Sequence, residues 1–112
     1  MKPINSGELM RHIDLSYRQI DYWCSVGAIV PSGSPCNPGA GERRVWSVRD
    51  LQRLQAIARF QRLAHHFGRD VPVDTLHRIW YGLADSDTVE LGEPGASLTI
   101  ELRPPEWREV NS

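Results

Sequence analysis

The chain has 112 residues, of which 40% are hydrophobic and 24% charged, an ordinary globular composition for about one domain's worth of material. No apolar stretch is long enough for a membrane span and the first residues lack an apolar signal core, so a soluble cytoplasmic protein with no membrane partner is expected. The formal net charge of -1 hides an asymmetry: residues 1–69 hold 10 Lys/Arg against 5 Asp/Glu, and residues 70–112 hold 3 against 9. A basic first block suits a surface that meets phosphate, and an acidic second block does not.

In chain order, Asn5 followed by Glu8 has capping-box character and precedes a short helix over 6–13. Ser16 caps a second helix in which Ile20, Trp23 and Cys24 share the apolar face, Tyr17, Arg18, Asp21 and Tyr22 lie on other faces, and Gly27 supplies the stop. The turn at Asp14 and Leu15 is expected to use the tolerance of Asp for unusual backbone angles. Residues 29–31 read as an edge strand stopped by proline and 45–46 as its partner, enclosing a Gly/Pro/Ser loop over 32–42 that runs into Arg43 and Arg44. Such a two-stranded ribbon has the shape and charge of a wing laid along a phosphate backbone.

Ser47, with Asp50 three residues on, caps a long third helix ended by Gly68. Its apolar stripe is Leu51, Leu54, Ile57, Ala58, Phe60, Leu63, Ala64 and Phe67, with Arg49, Gln52, Arg53, Gln55, Arg59, Gln61 and Arg62 mostly outside. Asp74 is expected to cap a fourth helix over 75–84, which presents Leu76, Ile79, Trp80 and Leu83 on one face. Beyond residue 85 the period changes to alternation: Val89 and Leu91, then Leu98, Ile100 and Leu102, predict a hairpin closed over 92–96. Trp107 reads as an anchor for the tail, and Trp23 and Trp46 as core.

Three stretches in register, LSYRQIDYW at 15–23, GAIVP at 27–31 and RVWSVRDL at 44–51, resemble the MerR family of winged helix-turn-helix regulators, in particular its actinobacterial branch. The resemblance covers about residues 4–83, including the glycine-to-isoleucine link from Gly68 to Ile79. It implies a mainly α fold with small β elements: four helices, a two-stranded wing and a C-terminal β-hairpin. Residues 1–84 would form the DNA-binding domain and residues 85–112 an acidic hairpin and tail packed on it or used for association. The sequence departs from the family at Asp14, where a turn glycine is usual, at Asp21, where most members outside the branch have arginine, and at Trp46, where tyrosine is usual. The family's long dimerising helix and effector region are replaced here by the acidic hairpin, and no heptad run stands in for them.

The implied function is sequence-specific binding of double-stranded DNA as a transcriptional regulator, by occupancy rather than by distortion of a promoter. The expected DNA-binding residues are Ser16, Tyr17, Arg18, Gln19, Tyr22, Arg43 and Arg44. Among them Arg18 suits a bidentate contact with guanine, Tyr17 and Tyr22 suit phosphate or sugar, Arg43 and Arg44 suit the backbone beside the wing, and Gln19 is the weaker candidate. The regulator could act as a homodimer. Two other readings stand beside it: an excisionase-like or architectural DNA-binding protein that fills direct repeats as a head-to-tail array, and a protein-interaction module whose active surface is the C-terminal hairpin. Cys24 and Cys36 read as free thiols, for they form no C-x-x-C. His65 and His66 are adjacent and face different ways, so no metal or cofactor is expected. No nucleophile with a base and orienter is visible, and no enzymatic activity is expected.

Overall fold

Three side-chain caps set the helical frame in the computed structural model, which describes residues 3–34, 43–92 and 97–108. After a short strand β1 (Ile4–Asn5), the Asn5 side chain accepts the Glu8 N–H at 2.8 Å and starts α1 (Ser6–Arg11). Ser16 and Gln19 form a reciprocal capping box that starts α2 (Tyr17–Ser25). After strand β2 (Val45–Trp46), Ser47 and Asp50 do the same for α3 (Val48–His66). Each box satisfies amides that have no partner inside the helix. Both α2 and α3 stop at glycines in the left-handed region, Gly27 at φ 75° and Gly68 at φ 70°, where a side chain would be strained. Helix α4 (Val73–Asp85) and the antiparallel pair β3 (Thr88–Leu91) and β4 (Leu98–Glu101) complete the chain.

The core lies on the inner faces of α1, α2, α3 and α4, with Leu9, Ile20, Trp23, Trp46, Leu51, Leu54, Ile57, Ile79 and Trp80 all buried. Trp46 and Trp80 meet edge to face at 6.5 Å, and the Trp46 indole N–H donates to Ser6 Oγ at 3.1 Å, so the one polar group of buried Trp46 is satisfied. The C-terminal hairpin closes the other side, with Leu91 and Ile100 buried and Val89 directly opposite Ile100. Gly82 of α4 lets it approach: a Cβ there would stand 2.6 Å from Val89 Cγ2. Among the described residues no helix is long and apolar enough to cross a membrane.

Several local expectations are corrected. The partner of Val45–Trp46 is Ile4–Asn5, in register Ile4 to Trp46 and Asn5 to Val45, and residues 29–31 form no strand. The N–H groups of Ala28 and Ile29 are turned back to the Trp23 carbonyl at the end of α2, and Pro31 has no N–H to give. Residues 33 and 34 still flank the strand, for Gly33 N–H donates to Val45 O and Val45 N–H to Ser34 Oγ. The loop over 35–42, with Cys36, and the hairpin turn over 93–96 lie outside the described residues. Asp14 has no positive φ; it is an ion-pair partner of Arg62. Helix α1 ends at Arg11, earlier than expected, and His12 caps it. Asp74 is inside the first turn of α4, because Pro72, whose φ is -64°, already supplies the extended cap and its carbonyl accepts the first helical N–H groups.

Helix α3 departs most from its predicted faces. Arg53 and Gln55 are buried, whereas Leu63 and Phe67 are exposed. Arg53 donates from Nε and NH2 to the Trp80 carbonyl, and Arg49 donates to the carbonyls of Leu83 and Ser86. The Leu83 and Ser86 carbonyls are at the end of α4, which leaves them without intrahelical partners and has no basic residue of its own in its last turn; Trp80 is a turn earlier, inside the helix. Gln55 is buried because it binds backbone on two sides: it donates to His12 O and Glu106 O and accepts the Glu106 N–H. The tail is held further along by Gln52 on Arg103 O and by His12, whose Nδ1 accepts the Arg108 N–H while Trp107 stands edge-on to its ring at 5.0 Å.

Two stability predictions follow. Asp50→Ala leaves the buried Arg53 without its carboxylate and lowers the unfolding free energy by about 3–5 kcal/mol, whereas Asp14→Ala, at an exposed pair, costs less than about 1 kcal/mol; urea midpoints at constant slope measure both. Gly82→Ala gains about 1 kcal/mol of helix propensity but drives a methyl into a β-branched side chain, at about 1–3 kcal/mol of overpacking, so the variant melts lower than the parent.

Candidate nucleic-acid interface

Helix α2 is two-sided. Ile20, Trp23 and Cys24 are buried, and Tyr17, Arg18, Asp21, Tyr22 and Ser25 are exposed. At 3.6 residues per turn these five span about 140° of the helix circumference, a continuous outward strip. Tyr17 and Tyr22 are 55% and 54% exposed, an unusual disposition for two aromatic residues on one surface unless something covers them. The first turn of α2 carries no acidic residue, so the partial positive charge of its N-terminus is not cancelled locally.

The expected site residues divide into three groups. Tyr17, Arg18 and Tyr22 are on the outward strip, with Ser16 exposed at the head of the helix. Gln19 is half-buried: its Oε1 accepts the Ser16 N–H at 2.9 Å and its Nε2 donates to Gln61 of α3, so its amide ties the head of α2 to the long helix. Arg43 is exposed at the foot of β2, and Arg44, the next residue, is turned inward. Arg44 NH2 donates to Asp21 Oδ1 at 2.9 Å, with 10% of the Arg44 side chain exposed and 56% of Asp21. Partial burial works against the guanidinium charge, but the hydrogen bond and charge of Asp21, helped by Cys24 and Tyr17, outweigh it and hold Arg44 above its ordinary pKa.

Asp21 was no part of the expected site, although it sits in the middle of the strip. The sequence signals were its departure from the family's usual arginine and an acidic residue among aromatic and basic ones; its partner is 23 residues away in sequence, beyond helical spacing. Among the described residues no three His, Cys, Asp or Glu side chains gather as metal ligands.

Two short helices joined by a tight turn, the second presenting an open strip of aromatic and basic side chains beside a strand root that carries two arginines, define a helix-turn-helix protein. A model of MerR HTH family regulatory proteins matches residues 4–66, from β1 to the end of α3. The chain belongs to this family of DNA-binding transcriptional regulators. No curated protein and no solved structure matches it.

Gln19→Ala removes half of the capping box and the link to Gln61. It lowers the unfolding free energy by about 1 kcal/mol, read from urea denaturation followed by tryptophan fluorescence.

Proposed function

We propose that this protein binds double-stranded DNA sequence-specifically and represses transcription by occupying its site. The observation that supports this most is the outward strip of α2: Arg18, Tyr17 and Tyr22 stand together on the helix that a helix-turn-helix lays in the major groove. Arg18, in the first turn, is the residue for a base edge, with two parallel donors matched to the N7 and O6 of guanine. Tyr17, Tyr22 and Ser16 have hydroxyls for phosphate or sugar, and exposed Arg43 grips the backbone at the wing root. Occupancy is favoured over an activating distortion because after α4 the chain turns into a hairpin that packs back on α3 and α4 instead of continuing as a helix.

A protein partner at the C-terminal hairpin is the second reading, favoured by one observation. Leu98 is 41% exposed and lines an open groove of about 510 Å³ with Phe60, Leu63, Ala64, Phe67 and Arg69. On the same hairpin Ile100 is buried and Val89 is packed against Gly82, so neither is available to a partner.

Selection of random duplexes by the purified protein, then anisotropy on the enriched and scrambled sequences over a salt series, decides between the two. One enriched motif is expected. Arg18→Ala costs about 1–3 kcal/mol on that motif and flattens discrimination, whereas Arg43→Ala weakens all sequences nearly alike and lowers the salt slope by about 1. No enrichment, with no binding at low salt, moves the function to the hairpin.

A further inference from the structure

Arg44 and Asp21 join the wing root to the recognition helix through one ion pair of 2.9 Å, and the pair is lopsided. The cation is nearly covered, at 10% exposure, and the anion is mostly open, at 56%. A guanidinium committed to a carboxylate in this way adds little positive charge towards phosphate. A lone carboxylate in the middle of a DNA-facing strip would be repelled by phosphates; one neutralised by a fixed arginine is tolerated there. Fixing Oδ1 also constrains the orientation of the group, and the second oxygen of this largely exposed carboxylate, an acceptor only, takes no hydrogen bond from the described residues.

We propose that Asp21 is a base-reading residue and that Arg44 is the residue that positions it, the outward carboxylate oxygen accepting a hydrogen bond from the amino group of a cytosine in the major groove. The inference rests on the DNA-binding function proposed above and deepens it: it adds one specified position to the recognised sequence and assigns Arg44 to act through Asp21.

The test uses an isosteric change whose sign is fixed by the geometry. In Asp21→Asn the arginine, which can only donate, continues to hold the oxygen, so the outward atom changes from an acceptor to an N–H donor. At one position of the selected site the preference therefore switches from cytosine to a base that presents an acceptor there, guanine or thymine, by about tenfold, with the other positions unchanged. Arg44→Ala frees the carboxylate, so the preference at that same position flattens; Asp21→Asn added to it gives no switch, and Arg44→Lys, which retains a donor for the oxygen, restores the cytosine preference. Selection followed by anisotropy on single-base variants reads all of these, and thermal melts identify any variant that has lost its fold; should Arg44→Ala unfold, the Asp21→Asn switch decides alone. If Arg44→Ala weakens every sequence alike and lowers the salt slope by about 1, Arg44 grips phosphate and the inference is overturned with the DNA-reading function intact. An Asp21→Asn protein that selects the parent's base at every position overturns it too. A parent protein that enriches no motif brings down the proposed function itself, and the inference with it.

Discussion

The carboxylate of Asp50 is the junction through which the segment after α2, the start of α3 and, by way of Arg53, α4 are joined. It is fully buried and accepts four hydrogen bonds: from the Ser32 N–H at 2.8 Å, the Ser32 hydroxyl at 2.6 Å, the Ser47 N–H at 3.0 Å and Arg53 NH1 at 3.0 Å. A buried carboxylate is tolerated only when its lone pairs are used and its charge is matched. Both conditions hold here, and meeting them joins three parts of the chain. Ser32 belongs to the segment leaving α2, Ser47 to the start of α3, and Arg53 carries the connection to α4 by lying 3.6 Å over the Trp80 ring and binding the Trp80 carbonyl. Burial pushes the Arg53 guanidinium below its ordinary pKa, although Asp50 works the other way. One acidic side chain thus ties the segment that leaves α2 to the junction of β2 and α3.

The rest of α3 is a beam with structure on nearly every side. Its apolar face holds α1, α2 and α4, and its polar face holds the C-terminal segment: Gln52, Gln55 and Arg59 all bind backbone carbonyls between residues 101 and 106. Gln55 behaves like one more residue of a strand, giving and accepting a hydrogen bond with the same Glu106 peptide. Arg59, crowded by Arg103 as well as partly buried, is held below its ordinary pKa in spite of Glu106. What this packing leaves open is the last stretch of the helix, where Leu63 and Phe67 are exposed next to Leu98.

The features legible in the sequence were those whose cause is local. Caps at Asn5, Ser16 and Ser47, stops at Gly27 and Gly68, the inward faces of α2 and α4, and the alternation that pairs Val89 with Ile100 all depend on residues within a turn or a hairpin of each other. The features that were not legible depend on partners distant in sequence. Residues 29–31 have the composition of a strand, yet their amides are claimed by the end of α2, and the N-terminal residues 4–5 take the vacant edge of β2. Arg53 and Gln55 look like solvated helix residues until α4 and the tail, respectively 27 and 51 positions away, present carbonyls for them to bind. The recognition strip was readable as a helix face. Its acidic member stood outside that reading, because the meeting of Asp21 with Arg44 is a contact between residues 23 positions apart.

Charge gains a different meaning from this arrangement. The first 69 residues carry a net +5 from 10 Lys/Arg, which read as a broad phosphate-binding surface. Four of those arginines, however, are matched to carboxylates: Arg44 to Asp21, Arg49 to Asp87, Arg53 to Asp50 and Arg62 to Asp14. Arg53 is moreover buried, and Arg49 spends its donors on the end of α4. Counterion release scales with the number of phosphates neutralised, so under the proposed function the basic block has less to give DNA than its count suggests. Under the proposed function affinity rests on the fit of the α2 strip to base edges more than on total charge, and the Asp50 carboxylate contributes by tying residue 32, on the segment that leaves α2, to the start of α3.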